Sequence, residues 1–196
     1  MRKILAVAFI LVTGISAVSQ ETAPVKKSAL GIHFFFNDFK SVSAIRSSSV
    51  SSTLANKTFG KMKDMVPGLG ISYWQGINSH LDFSANLNGS FLDYTTKDGK
   101  VLGNQSFLIE ADASLHGKML TDQYWVVPYL SAGVGLSKYK GYFGAIMPVG
   151  FGLQVNIFDE TFIMIDSQYR LGVSQNSDHH FFHGIGIVGN LGRSKD

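Results

Sequence analysis

The sequence predicts an all-β chain, an eight-stranded antiparallel up-and-down β-barrel whose strands cross a membrane. Three observations lead there: a strict two-residue apolar period, an opposite face of glycine and small polar residues, and eight segments that share both. The pattern is clearest in residues 145–173. Met147, Val149, Phe151, Leu153, Val155 and Ile157 form one series, and Pro148, Gly150, Gly152, Gln154 and Asn156 the other. After Asp159 and Glu160 the apolar series resumes as Ile163, Ile165, Tyr169, Leu171 and Val173, against Asp166, Gln168 and Arg170. Only Ser167 interrupts it. Successive strand residues point to opposite faces, so a period of two means strands. On a helix, alternate residues lie about 200° apart and the same set would surround the whole surface.

Which face looks inward decides the class. A soluble barrel buries its apolar face and covers its outside with Lys and Glu. Here charged residues are only 16% of the chain, and the polar face is Gly, Ser, Asn and Gln. That face suits a narrow lumen, and the apolar face suits lipid. Both segments reach the roughly 9–11 residues that a tilted membrane strand needs.

The other segments follow in order. Residues 28–36 place Leu30, Ile32, Phe34 and Phe36 opposite Gly31, His33 and Phe35. A long excursion, 37–65, carries a serine cluster and the cations Arg46, Lys57, Lys61 and Lys63, with room for a short helix. Structureless loops of this length are usually functional or mobile. Residues 67–75 resume the alternation, and Gly76 to Ser79 have turn chemistry. Strands at 81–94, 105–117, 125–138 and 180–191 complete the set, with loops at 95–104, 139–143 and 174–179. Turns after the second, fourth and sixth strands are short and the first loop is long. That asymmetry is expected when short turns face the periplasm and long loops the outside.

Residues 1–19 read as a signal peptide: Arg2 and Lys3, an apolar core from Ile4 to Val12, and Ala17-Val18-Ser19 as cleavage site. Residues 20–27 read as a flexible lead-in, 28–191 as the barrel domain, and 192–196 as a short periplasmic tail. The leader removes two cations and no carboxylate, so the formal charge falls from +3 to +1. So balanced a chain has no footprint for nucleic acid. Cysteine is absent, which excludes disulfides, thiolate metal sites and a lipid-modified N-terminal Cys.

The leader, the eight alternating segments and stretches such as Val127-Pro128-Tyr129-Leu130-Ser131-Ala132-Gly133-Val134-Gly135 carry a resemblance. The chain resembles the small outer-membrane β-barrel family of Gram-negative bacteria, the OmpA/OmpX-like class, over nearly its whole mature length. The resemblance implies a stand-alone monomeric barrel in the outer membrane, with membrane lipids as partners. It departs from the family pattern at its end. Gly192-Arg193-Ser194-Lys195-Asp196 follow Leu191 where an aromatic residue is common. Aromatic girdles are expected at both interfaces: Tyr73, Trp74, Tyr124, Trp125, Phe158 and Phe162 at the periplasmic one, and Phe36, Phe91, Tyr94, Phe107, Tyr139, Tyr142, Phe143 and Phe181 at the outer one.

Three groups of residues could carry chemistry. Gly-x-Gly recurs at Gly68/Gly70, Gly133/Gly135, Gly150/Gly152 and Gly184/Gly186, without the following helix that a phosphate loop needs. These glycines fall on the lumen face, where they make room for larger neighbours. Asp82, Glu110, Asp112, Asp166 and Arg170 also fall inside, with His33 and His116 nearby. Paired carboxylates suggest acid–base catalysis, but buried charges must be paired in any case. A structural network centred on Arg170 is the preferred reading. Asp178, His179, His180 and His183, with Ser174 and Ser177, suggest a metal site or an acyl-transfer group. They are read as solvated interfacial residues. The expectation is therefore a non-enzymatic barrel without cofactor or metal, having a structural or surface-interaction role, its lumen filled by side chains. An extracellular ligand would bind through the 37–65 loop. The alternatives are a lipid-modifying enzyme and a narrow channel.

Overall fold

A computed structural model describes residues 25–57, 59–92, 106–158 and 160–192. The signal peptide, the lead-in through residue 24, Thr58, the whole 95–104 loop with its flanks (93–105, among them the girdle candidate Tyr94), Asp159 and the tail at 193–196 lie outside the described residues.

Eight strands form one closed antiparallel barrel in sequence order. They are β1 (Ala29–Asp38), β2 (Val66–Asn78), β3 (Leu81–Leu92), β4 (Ser106–Lys118), β5 (Val126–Tyr139), β6 (Tyr142–Phe158), β7 (Thr161–Gly172) and β8 (His180–Asn190). Closure comes from β1 against β8, where Ile32 faces Ile187 and His33 faces Gly186. The closed ladder leaves no strand edge unpaired, the condition for spanning a bilayer with strands.

The alternation has the predicted sense. Ile32 is 69% exposed and Ile187 62%, whereas Arg170 and Asp82 are 1% exposed. A wall that displays its aliphatic residues and hides its charges belongs in hydrocarbon. The predicted lumen glycines lie against bulky partners. A Cβ on Gly70 would collide with the His33 ring, and one on Gly152 with the Tyr129 hydroxyl. A larger residue at either place would force that ring to move.

The structure extends or corrects several expectations. The described residues of the 37–65 excursion form the helix for which the sequence leaves room and a second one, because their polar residues supply their own caps. Asp38 accepts the Ser41 N–H at 2.8 Å to start α1 (Phe39–Ser47), and Ser49 accepts the Ser52 N–H at 3.1 Å to start α2 (Val50–Ala55). A 3-10 turn, Met62–Asp64, follows, and Lys40 reaches Asp64 at 2.8 Å to tie it to α1. The expected loop at 139–143 is a two-residue hairpin. Tyr139 pairs with Tyr142, and Lys140 and Gly141 adopt φ of 48° and 86°, the left-handed pair that tight hairpins favour. Trp74 and Phe162 do not join a girdle; both are buried inside the barrel. Tyr124, Trp125 and Phe158 at one end, and Phe91, Tyr142 and Phe143 at the other, are exposed as expected.

A closed barrel unfolds cooperatively. Detergent-purified protein is therefore expected to migrate differently on SDS gels when boiled and unboiled. Identical migration, together with solubility in plain buffer, would contradict this fold.

Candidate functional site

The described lumen charges fall into separate clusters along the barrel axis. At the end bearing the 37–65 excursion, Arg170 Nη1 donates to Glu110 Oε2 at 2.6 Å, and Nη2 faces Asp112 Oδ2 at 3.4 Å. The guanidinium also lies 3.9 Å above the Phe182 ring, a favourable cation–π geometry. His180 Nε2 is 3.4 Å from the same Glu110 oxygen. Phe39, the first residue of α1, packs its ring over His180 with centroids 4.4 Å apart. β7 delivers Arg170, β4 delivers both carboxylates, and β8 delivers His180 and Phe182. Neighbour register sets Arg170 opposite His180.

At mid-depth Asp112 also accepts from Asn86 at 2.8 Å and Ser114 at 3.2 Å. Asp166 does not pair with Arg170; it accepts the Tyr129 hydroxyl at 2.5 Å. His33 bonds Asn88 and His116 bonds Ser84, each through Nε2. A void of about 20 Å³ separates these side chains, bordered by Trp74, His116 and Arg170.

The opposite end holds a cluster that the sequence reading lacked. Asp82 lies between two buried ammonium groups, Lys26 at 2.5 Å and Lys118 at 3.1 Å. Lys118 continues to Asp122 at 2.8 Å. Lys26 also donates to Gln154 and stands 4.4 Å from the Phe162 ring centre. The segment 25–27, expected to be part of a flexible lead-in, is thus folded into the barrel mouth. The Gly76 N–H bonds the Lys26 carbonyl at 3.1 Å and fixes it there. Lys118 was legible: it continues the lumen series Glu110, Asp112, Ser114 and His116. Lys26 was not, because it precedes any periodic segment.

The histidine cluster divides. His180 is buried and turned to Glu110, contrary to the expectation of a solvated residue; its place in the series Phe182, Gly184, Gly186 could have shown this. His179 stacks on Tyr169. His183 lies on the outer wall beside Ser167, with Ser167 Oγ and His183 Nδ1 3.0 Å apart. Ser174 and Ser177 bond each other and the Ala145 backbone. Ser174, Asp178 and His180 therefore do not converge into a nucleophile–base group. Among the described residues, no three His, Asp or Glu side chains gather in a metal-binding arrangement. In the connections outside the strands, the Lys40 ammonium bonded to Asp64 holds that carboxyl below its ordinary range. Burial raises the Asp178 carboxyl, with His179 opposing the shift.

The architecture has solved counterparts. Neisserial surface protein A superposes with a TM-score of 0.55 at 14% identity, over 86% of this chain and 99% of that one. The N-terminal β-barrel domain of Pseudomonas aeruginosa OprF superposes with a TM-score of 0.51 at 12% identity, over 86% and 100%. This is the fold of the small outer-membrane barrels. No protein-family model and no curated protein sequence matches the chain. At these identities the likeness defines the fold, and the lipid-facing wall of this outer-membrane barrel is evident from its own exposed residues.

Proposed function

We propose that the chain is a closed-lumen outer-membrane barrel that displays residues 37–65 outside the cell as a contact surface for an extracellular partner. The carrying observation is the composition of that ordered excursion. Val50, Leu54, Phe59 and Met62 are all exposed on it, beside Arg46, Lys57 and Lys63. Large apolar side chains grouped on an exposed surface mark interaction sites. The excursion holds five cations against two carboxylates, which favours an anionic partner. Its anchorage is firm: Gly60 donates to Ser41 Oγ at 2.9 Å, and Phe59 meets Phe181 edge-on at 5.8 Å. A preformed surface loses less entropy on binding than a flexible one.

The void of about 20 Å³ is about one water molecule's worth of space, which favours a structural lumen over a channel. The absence of a converging Ser174–Asp178–His180 group argues against the acyl-transfer alternative at that position. Residues 1–19 are proposed to be removed on export, with the lead-in and the 192–196 tail in the periplasm.

Trypsin added to intact cells tests the display. Lys57, exposed in the turn after α2 with a φ of 53°, is the expected first cut; Arg46 is held in α1 and should be slower. Protection in intact cells with cleavage after lysis would place the excursion on the other side and end the proposal.

A further inference from the structure

The outer wall contains one polar pair that the lumen and the loop do not explain. Across four neighbouring strands the register aligns Phe151, Ser167, His183 and Phe36 side by side on the lipid face. The adjoining row toward mid-barrel is Leu153, Ile165, Ile185 and Phe34. Between the phenylalanines, the smaller Ser167 leaves a groove of about 360 Å³, floored in part by the backbone at Gly152 and Gly184. Polar side chains facing hydrocarbon are costly and rarely retained without a task. Mutual bonding of Ser167 and His183 satisfies only part of their capacity. If the serine donates to Nδ1, the His183 Nε2–H is left as a donor. If Nδ1 donates to the serine, the serine O–H is left. Either tautomer presents a donor in an otherwise apolar groove.

We propose that this groove holds one acyl chain of an ester-linked membrane lipid, with the ester carbonyl accepting a hydrogen bond from the Ser167–His183 pair. Three features select this occupant. The groove opens sideways into the hydrocarbon-facing wall, so a lipid reaches it without crossing water. Its volume is in the range of sites that enclose one small molecule. Its polar pair lies one row nearer the excursion-bearing end than Ile165 and Ile185, His183 being the fourth residue of β8 from that end and Ser167 the sixth of β7. That places the donor nearer the excursion-side interface than that apolar row, the order in which an ester and its chain are arranged in a leaflet. The inference rests on the transmembrane fold and is independent of any partner of the 37–65 surface.

The test is native mass spectrometry of the full-length mature protein released from bilayer discs. The discs contain equal amounts of a diester phosphatidylethanolamine and its diether analogue, which lacks the ester carbonyls. The wild-type protein is expected to retain one lipid, with the diester favoured roughly threefold to tenfold, the worth of one net hydrogen bond. The paired change Ser167→Val and His183→Phe should abolish that preference. Ile165→Trp, which fills the groove, should release both lipids. Heat-modifiable migration verifies that each variant is folded. Equal retention of diester and diether by the wild-type protein overturns the proposal without reference to any variant. It is also overturned by no retained lipid, by unchanged preference in the paired variant, by unchanged retention in Ile165→Trp, or by a retained mass equal to a second copy of the chain.

Discussion

Replacing Arg170 with alanine is expected to destabilise the barrel by about 3–5 kcal/mol, the usual cost of removing one partner from a buried ion pair. Arg170 is 1% exposed and is the cation that Glu110 meets at 2.6 Å. Its loss affects the two carboxylates unequally. Asp112 keeps donors from Asn86 and Ser114, whereas Glu110 keeps, among the described residues, His180 at 3.4 Å. Most of the cost should therefore come from Glu110. Adding Glu110→Gln to Arg170→Ala should recover a measurable part of it, because a neutral amide tolerates burial better than an unpaired carboxylate. Urea titration in detergent or vesicles, for the two single variants and the double, gives the coupling directly. Unchanged unfolding in Arg170→Ala would mean that water reaches the lumen, and would favour the channel reading.

At the other end, Asp82→Ala should be similarly damaging, again about 3–5 kcal/mol. One carboxylate there serves two buried ammonium groups. Lys118 retains Asp122 at 2.8 Å after the substitution, but Lys26 retains, among the described residues, the Gln154 side-chain carbonyl as its hydrogen-bond acceptor. The paired change Asp82→Ala and Lys26→Met should consequently be more stable than Asp82→Ala alone. Lys26→Met fills the space beside Phe162 with an apolar chain of similar length. If the pair is no better than the single change, Lys26 is not the orphaned charge and the segment 25–27 does not seat in the mouth. The same unfolding measurement decides this.

The sequence by itself determined the strand count, the face assignment and the closed topology. These depend on a local property, the two-residue period, which survives without knowledge of any distant contact. A one-residue slip would have put Arg170 in lipid and Leu171 in the lumen, so parity alone placed Glu110, Asp112, Asp166 and Arg170 inside. Parity also reaches Lys118 and His180, but the expected fourth strand ends at residue 117 and His180 is grouped with the solvated histidines of the last loop. Three things were decided only by the tertiary structure. Pairing among the lumen charges depends on stagger between strands, and this sends Asp166 to Tyr129 and Asp82 to Lys26 and Lys118. Lys26 lies outside every periodic segment, and only the closed mouth of the barrel supplies its partners. The neighbours of Ser167 were the least legible. It read as a break in an apolar strand, because a period along one chain carries no information about the residue beside it on the next. Pairing of β7 with β8 puts His183 next to it, and β6 on one side and the closing β1 on the other add the flanking phenylalanines, turning an irregularity of one strand into a groove shared by four.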